Sequence, residues 1–113
     1  MNDTVWCVAP GIGELTIADV YHSAGGSPIL FLAKDENGGK WICDCVKYQK
    51  QWIAAPVSEE VANMILHGEI TVRNAFDFRI NETAIITPGK ETEVARPAPV
   101  ELLPSPNYYL EVD

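Results

Sequence analysis

A five-residue turn between two apolar runs is the feature that most constrains how this chain can fold. Residues 28–34 read PILFLAK, residues 40–47 read KWICDCVK, and residues 35–39 (DENGG) separate them. An Asn-Gly pair favours positive φ at two central turn positions, which matches the twist of a tight β-hairpin. The pattern therefore predicts two antiparallel strands joined at this turn. The nearly continuous apolar run before the turn is typical of a strand covered on both faces.

Three further short segments indicate more strands. Residues 4–9 (TVWCVA) end at a Pro-Gly turn, and residues 51–57 (QWIAAPV) contain Pro56 near their end. Because proline cannot donate a hydrogen bond to a sheet, Pro56 should lie at a strand end or on an edge. Residues 15–22 (LTIADVYH) alternate imperfectly between apolar and polar, which favours a strand and leaves a short helix as the alternative.

Helix signals follow these strands. Ser58 is a good N-cap, the next two residues are acidic, and apolar side chains recur at helical spacing up to Gly68, which suits the position after a helix end. His67 would interact favourably with the C-terminal end of that helix. Thr71 is a candidate cap for a second, shorter helix that runs through Phe76.

The composition changes after one more predicted strand, residues 79–87 (RINETAIIT). Beyond Lys90, prolines punctuate a segment that still carries many large apolar residues, which disordered tails rarely do. The sequence therefore predicts one α+β domain at residues 1–90. Residues 91–113 are predicted to form a proline-rich C-terminal extension that packs on the domain or on a partner.

These patterns combine into one predicted architecture of the α+β class. An antiparallel β-meander of four to five strands is followed by one main helix and one short helix, both on one face of the sheet. We expect the N-terminal strand and the C-terminal extension to cover part of the other face. The segments are short and separated by turn residues, which is typical of consecutive strands that pair with their neighbours.

Two stretches carry a resemblance to a protein family. They read VYHSAGGSPILFLAKDENGGKW and WIAAPVSEEVANMILHGEITVRNAF, and the later LLPSPNYYL looks like the proline-bounded segment that often trails such domains. The chain resembles an uncharacterised family of small bacterial and phage-associated α+β domains, in which a β-meander precedes a capped helix. The resemblance implies this fold and a phage-associated setting, and it brings no known catalytic residues.

The net charge of −8 excludes several classes of partner. Direct nucleic-acid binding needs basic patches that replace counterions, and anionic membrane surfaces attract basic segments. No apolar run approaches the ~20 residues of a membrane span, and we expect no secretory signal at the N-terminus. The predicted setting is the cytoplasm of a bacterial host cell, and the predicted partner is another protein with a basic surface.

The three cysteines have two interpretations. Cys43 and Cys45 should project from one face of a strand, and together with Cys7 they are either buried core thiols or ligands of a metal site completed by His22 or His67. Their odd number and irregular spacing argue against a disulfide framework. The three tryptophans likewise indicate core packing or, if one is exposed, a ligand platform.

Acidic residues concentrate in the second half of the chain. Residues 58–113 contain ten acidic and four basic residues. This excess indicates either a solvated surface that gives solubility or an acidic face that steers the protein onto a basic partner. Asp19 and Asp44, inside predicted strands, are interpreted as two solvent-facing positions, and the alternative is a pair of carboxylates that face each other across the sheet for acid–base chemistry. The predicted partner-binding carboxylates are Glu59, Glu60, Glu69, Asp77, Glu82, Glu91 and Glu93.

The absence of a catalytic or cofactor motif predicts a non-enzymatic binding protein. One form is a phage-type inhibitor, similar to anti-CRISPR proteins, whose carboxylates occupy a basic nucleic-acid-binding surface of a bacterial defence complex. One alternative is a small metal- or thiol-dependent enzyme or regulator that uses Cys43, Cys45, Cys7 and a histidine. Another is an immunity-like or antitoxin-like partner of a basic toxin, which would rely on the same electrostatics.

Overall fold

Within the part of the chain that the structure describes, seven antiparallel strands form one sheet, and each strand pairs with its neighbours in the sequence. The computed structural model describes residues 4–110. Two helices, α1 (Glu59–Leu66) and α2 (Val72–Asp77), lie between the fifth and sixth strands. The strands are β1 (Thr4–Ala9), β2 (Gly13–Ala24), β3 (Ser27–Lys34), β4 (Lys40–Lys47), β5 (Gln51–Val57), β6 (Ala84–Thr87) and β7 (Glu93–Ala95). The predicted α+β class is thus confirmed.

The predicted count of four to five strands is wrong, for two physical reasons. The N-terminal strand β1 pairs with β2 inside the sheet and does not cross its other face. The short strands β6 and β7 then extend the opposite edge. Of the predicted late strand at residues 79–87, only Ala84–Thr87 forms a strand of the sheet, because Ile80–Glu82 forms a 3-10 turn.

The β3–β4 hairpin is confirmed, although its turn differs from the predicted one. Among the turn residues, only Gly38 has a positive φ, at 84°. The backbone N–H of Gly38 bonds to the carbonyl of Asp35, and the N–H of Asp35 bonds to the carbonyl of Gly39. The Asp35 carboxylate accepts the N–H groups of Asn37 and Gly39, so a local side-chain cap replaces the second positive φ.

The sheet curls, so that side chains on its inner face pack against one another. Trp6 of β1 and Val94 of β7 belong to the same apolar cluster although their strands lie at opposite edges of the sheet. The Trp6 ring meets Phe31 and Trp52 edge to face, with ring centroids 4.9 and 5.5 Å apart. Edge-to-face pairs of this kind add to the stabilisation from apolar burial.

The outer face of the sheet is covered by the helices and by the C-terminal segment. Leu30 and Leu32 of β3 pack there, in one cluster with Phe76 of α2 and with Leu103 and Leu110. The expectation that the C-terminal segment covers the face opposite the helices is therefore wrong. The prediction that residues 28–34 are covered on both faces is confirmed, because the intervening Phe31 packs in the inner cluster.

The predicted helix caps are all present. The Ser58 hydroxyl accepts the backbone N–H of Val61 at 3.1 Å and begins α1. His67 is the C-cap of that helix, and Gly68 follows with a φ of 70°. Thr71 begins α2 and forms a reciprocal capping box with Asn74. Each cap satisfies backbone groups that a helix end leaves unpaired.

Hydrogen bonds attach the C-terminal segment to the helical layer. The N–H of Val72, which has no partner within its own helix, donates to the carbonyl of Tyr108 at 2.9 Å. The N–H of Ala98 donates to the carbonyl of Thr83 at 2.9 Å. The division of the chain at residue 90 stays a prediction, while β7 and the buried Leu110 both lie beyond that position.

Replacing Leu110 tests how much this attachment stabilises the fold. Leu110→Ala removes a buried side chain from the outer cluster and should lower the free energy of unfolding by about 2–4 kcal/mol. Val100→Ala, on an exposed side chain of the same segment, should change it by less than about 0.5 kcal/mol. Urea unfolding followed by tryptophan fluorescence measures both. Equal effects of the two substitutions would contradict a docked segment.

Candidate functional site

The seven predicted partner-binding carboxylates are all exposed, and they lie at three places on the molecule. Glu69 lies in the link between the helices, and Glu91 and Glu93 lie before and within the edge strand β7. The other four surround the helix ends, at the start of α1 and at and after the end of α2. The structure therefore does not join all seven into one face.

The start of α1 and the end of α2 meet at a shallow cleft. Ser58 and Val61 line it from the α1 side, and Ala75, Phe78 and Arg79 line it from the α2 side. Phe78 is 58% exposed, although it lies beside the fully buried core. We call this region the helix-end surface and define it as Glu59, Glu60, Asp77, Phe78 and Glu82.

Basic side chains partly neutralise the helix-end surface. The ammonium nitrogen of Lys40 lies 3.7 Å from a carboxylate oxygen of Glu59, and a guanidinium nitrogen of Arg79 lies 3.1 Å from a carboxylate oxygen of Glu82. Arg73 pairs with Asp77 at 3.7 Å, one helical turn away. Exposed pairs of this kind contribute at most about 1 kcal/mol, so the carboxylates remain available to other cations. Among the described residues, no salt bridge includes Glu60.

The structure does not assemble the predicted metal or thiol site. Cys7 and Cys43 are buried in the inner cluster, where burial raises the pKa of the Cys7 thiol to about 11 and that of Cys43 well above its usual value. Thiolates are the nucleophiles and metal ligands, so this environment disfavours both roles. His22 lies against Tyr108 instead. Within residues 4–110, no three His, Cys, Asp or Glu side chains are arranged to hold a metal ion.

The three tryptophans pack in the inner cluster and do not form a ligand platform. Trp41 and Trp52 are buried, and Trp6 is half-buried between aromatic neighbours. The Trp52 indole donates to the carbonyl of Pro28 at 3.1 Å. The Trp41 indole donates to the Asp35 carboxylate at 3.0 Å. Burial acts to raise the pKa of Asp35, but this bond and the backbone bonds from the turn hold it below its usual value.

Asp44 is the residue whose position the sequence analysis predicted wrongly. It lies on the outer face of β4, directly across from Leu30 on one side and Ile53 on the other, and only 9% of it is exposed. Burial raises the pKa of its carboxyl from 3.8 to about 7, against the lowering effect of a hydrogen bond from the Cys45 backbone. Asp19 is exposed as predicted, and β3 separates it from Asp44.

A cleft beside Asp44 brings together the C-terminal segment and β2. It has a volume of about 360 Å³ and is lined by His22, Asn107, Tyr108 and Tyr109. The His22 and Tyr108 rings stack, with centroids 6.2 Å apart and planes 20° apart. Burial, followed by the negative charge of Asp44, raises the pKa of Tyr108. Side chains of a strand alternate between its two faces, so the sequence of β4 places Asp44 on the same face as the apolar Ile42. This position was the sequence signal that Asp44 could be buried.

Asp44 makes the stability of the fold depend on pH. Between about pH 4 and pH 7, the folded protein keeps a proton on Asp44 that the unfolded chain releases, so the free energy of unfolding falls as pH rises through this window. The loss is on the order of 4 kcal/mol. Asp44→Asn stays neutral and should therefore unfold at a higher urea concentration than the unsubstituted protein at pH 8, with little difference at pH 4.

The matched control is Asp19→Asn, an exposed carboxyl on β2. It should show the same pH dependence of urea unfolding as the unsubstituted protein, because it leaves the buried Asp44 carboxyl in place. If Asp44→Asn also kept that dependence between pH 4 and pH 8, a protonated Asp44 in the folded state would be ruled out.

Comparison with known proteins finds no match of any of three kinds. No protein-family model matches the sequence, no curated protein matches it, and no solved structure matches its fold. Among residues 4–110, the helices are too short to cross a membrane.

Proposed function

We propose that this chain is a non-enzymatic protein-binding module whose helix-end surface docks on a basic surface of another protein. The observation that supports the proposal most directly is the exposure of Phe78 beside Asp77, at the end of α2. The other two phenylalanines, Phe31 and Phe76, are fully buried. Aromatic residues are enriched in protein–protein interfaces, so an exposed phenylalanine beside carboxylates suits an interaction site.

Phe78 and the carboxylates around it have complementary roles in this proposal. A buried aromatic anchor supplies most of the binding free energy of an interface, and a polar rim excludes water around it. Glu59, Asp77 and Glu82 already hold basic side chains of their own chain through exposed, weak salt bridges. A partner's arginines or lysines would replace those basic groups, and Glu60 would gain a partner.

Long-range electrostatics supports a basic partner. The net charge of −8 repels nucleic acid and anionic membranes, and the excess is concentrated in residues 58–113, which include the helix-end surface. A negative potential speeds encounters with a positive surface and slows them in high salt. The bacterial cytoplasm is the proposed setting for this encounter.

A narrower form of the proposal concerns the kind of basic surface. Carboxylates can take the place of phosphates, so a surface that normally binds nucleic acid is a suitable target. This is how a phage-type inhibitor similar to anti-CRISPR proteins would block a bacterial defence complex. An immunity-like or antitoxin-like partner of a basic toxin would use the same contacts, and competition with nucleic acid separates the two.

Alanine substitution of Phe78 tests the proposed anchor. The tagged protein would capture partners from bacterial lysates, and mass spectrometry would identify what it retains. Phe78→Ala should weaken binding to the retained partner about tenfold or more, because an anchor of this kind is worth at least ~1.4 kcal/mol. Val100→Ala removes an equally exposed apolar side chain away from the helix ends and should bind normally.

Charge and competition give the second set of controls. Glu60→Gln should slow association measurably at low salt, whereas Glu101→Gln, an exposed acid in the C-terminal segment, should not. Binding that is indifferent to salt, or that survives Phe78→Ala, would overturn the helix-end surface as the site. If duplex DNA or RNA competes for the partner, the nucleic-acid-surface form is supported, and lack of competition contradicts it.

A further inference from the structure

A row of four residues crosses the outer face of the sheet at Asp44. His22 of β2 lies directly across from Leu30 of β3. On the other side, Leu30 lies across from Asp44, which lies across from Ile53 of β5. Residues that are directly opposite in an antiparallel sheet project from the same face. Leu30 and Ile53 are fully buried, so the Asp44 carboxyl is placed between two apolar side chains.

The C-terminal segment reaches this row through residues 103–110, which we call the strap. Tyr108 of the strap packs in the outer cluster with Leu30, and its ring stacks on His22 at one end of the row. Burial, followed by the negative charge of Asp44, raises the pKa of Tyr108, so the phenol lies close to the carboxyl. The docked strap is therefore part of the environment that keeps Asp44 away from solvent.

Two hydrogen bonds join the strap to the helical layer. The carbonyl of Tyr108 accepts the backbone N–H of Val72 at 2.9 Å, and the carbonyl of Pro104 accepts a guanidinium N–H of Arg73 at 3.4 Å. The strap contains no helix or strand of its own. A segment with so few backbone hydrogen bonds opens locally at a lower free energy than the sheet beneath it.

No basic side chain neutralises Asp44. Among residues 4–110, no salt bridge includes it. The titratable or charged side chains that neighbouring elements bring to this region are Asp19, Tyr21 and His22 of β2, Tyr108 and Tyr109 of the strap, and Arg73 of α2. Arg73 is already paired with Asp77. An ionised Asp44 under a docked strap is therefore a buried charge without a counter-charge, which is a costly arrangement.

We propose that the strap is a pH-dependent cover, which stays docked while the Asp44 carboxyl holds its proton and opens locally when that proton is released to water. Opening gives the carboxylate the solvent that a charged group requires. The proposal does not depend on the proposed function, because it concerns residues 103–110 and not the helix-end surface.

The sign of the pH dependence follows from the pKa of Asp44, which is about 7 in the docked state and 3.8 for a solvated carboxyl. Below about pH 4 the carboxyl is protonated in both the docked and the open state, and above about pH 7 it is ionised in both. The equilibrium constant for opening should therefore rise with pH between these limits and level off outside them.

Hydrogen exchange of the full chain over a pH series tests the cover without any substitution. The Val72 amide, whose acceptor is a strap carbonyl, reports opening of the strap, and the Ile42 amide in the middle of the sheet reports global unfolding. Each rate is divided by that of an unstructured peptide at the same pH, which removes the intrinsic effect of pH on exchange.

The expected result has two parts. The opening constant at Val72 should exceed that at Ile42 and be insensitive to low urea, because a local opening exposes little surface. It should also rise at least about tenfold between about pH 4.5 and pH 7.5, since each unit by which opening lowers the pKa of Asp44 adds a factor of ten. Equal opening constants with equal urea dependence at the two amides, or a local opening at Val72 that does not change with pH, would overturn the cover.

Substitutions identify the group that titrates. Asp44→Asn removes the ionisable group, so the opening constant at Val72 should change less than about twofold over the same pH range. Asp19→Asn and His22→Gln each remove a titratable neighbour and should leave the tenfold rise in place. A rise that persists in Asp44→Asn, or that disappears in His22→Gln, would assign the effect to another group and contradict the proposal. Circular dichroism confirms that the variants remain folded.

Discussion

Burial of both faces of the sheet is the constraint on which the rest of the structure depends. A sheet that is apolar on both sides needs two covering layers, and residues 4–110 contain only two short α-helices. The curl of the sheet covers one of the two faces, because side chains from the sheet itself pack together on its inner side around Trp6, Phe31 and Trp52. The helices and the C-terminal segment are left for the outer face.

This division decides where chemistry and binding can take place. The inner cluster takes the Cys7 and Cys43 thiols out of solvent and raises their pKa values, which makes them packing groups. The outer layer consists of short elements, namely the two helices and the C-terminal segment. Phe78 lies where the helix ends meet, and Asp44 lies close enough to Tyr108 of the C-terminal segment to raise its pKa. The edge strand β1 contributes Trp6 and Cys7 to the inner cluster, while Val5 and Val8 remain exposed.

The errors of prediction have physical causes that can be traced to particular residues. The strand β7 is only Glu93–Ala95, too short for an alternating pattern, and its pairing with β6 comes from tertiary contact. The turn at Asp35–Gly39 takes its shape from the Asp35 carboxylate, a local interaction that the Asn-Gly preference did not include. The alternation of side chains along β4 identifies the face on which Asp44 lies. Whether that face is exposed to solvent depends on the C-terminal segment, which is distant in the sequence.

The sequence alone was sufficient for the features that arise within a few residues: the strands around the 35–39 turn, the caps at Ser58 and Thr71, the end of α1 at Gly68, and the acidity of the second half. Tertiary structure decided how the sheet curls, which face the C-terminal segment covers, and how the acidic residues divide among three places. Caps and turns satisfy nearby backbone groups, so nearby residues specify them. The curl and the docking bury side chains that lie far apart in the chain, and no local pattern carries that information.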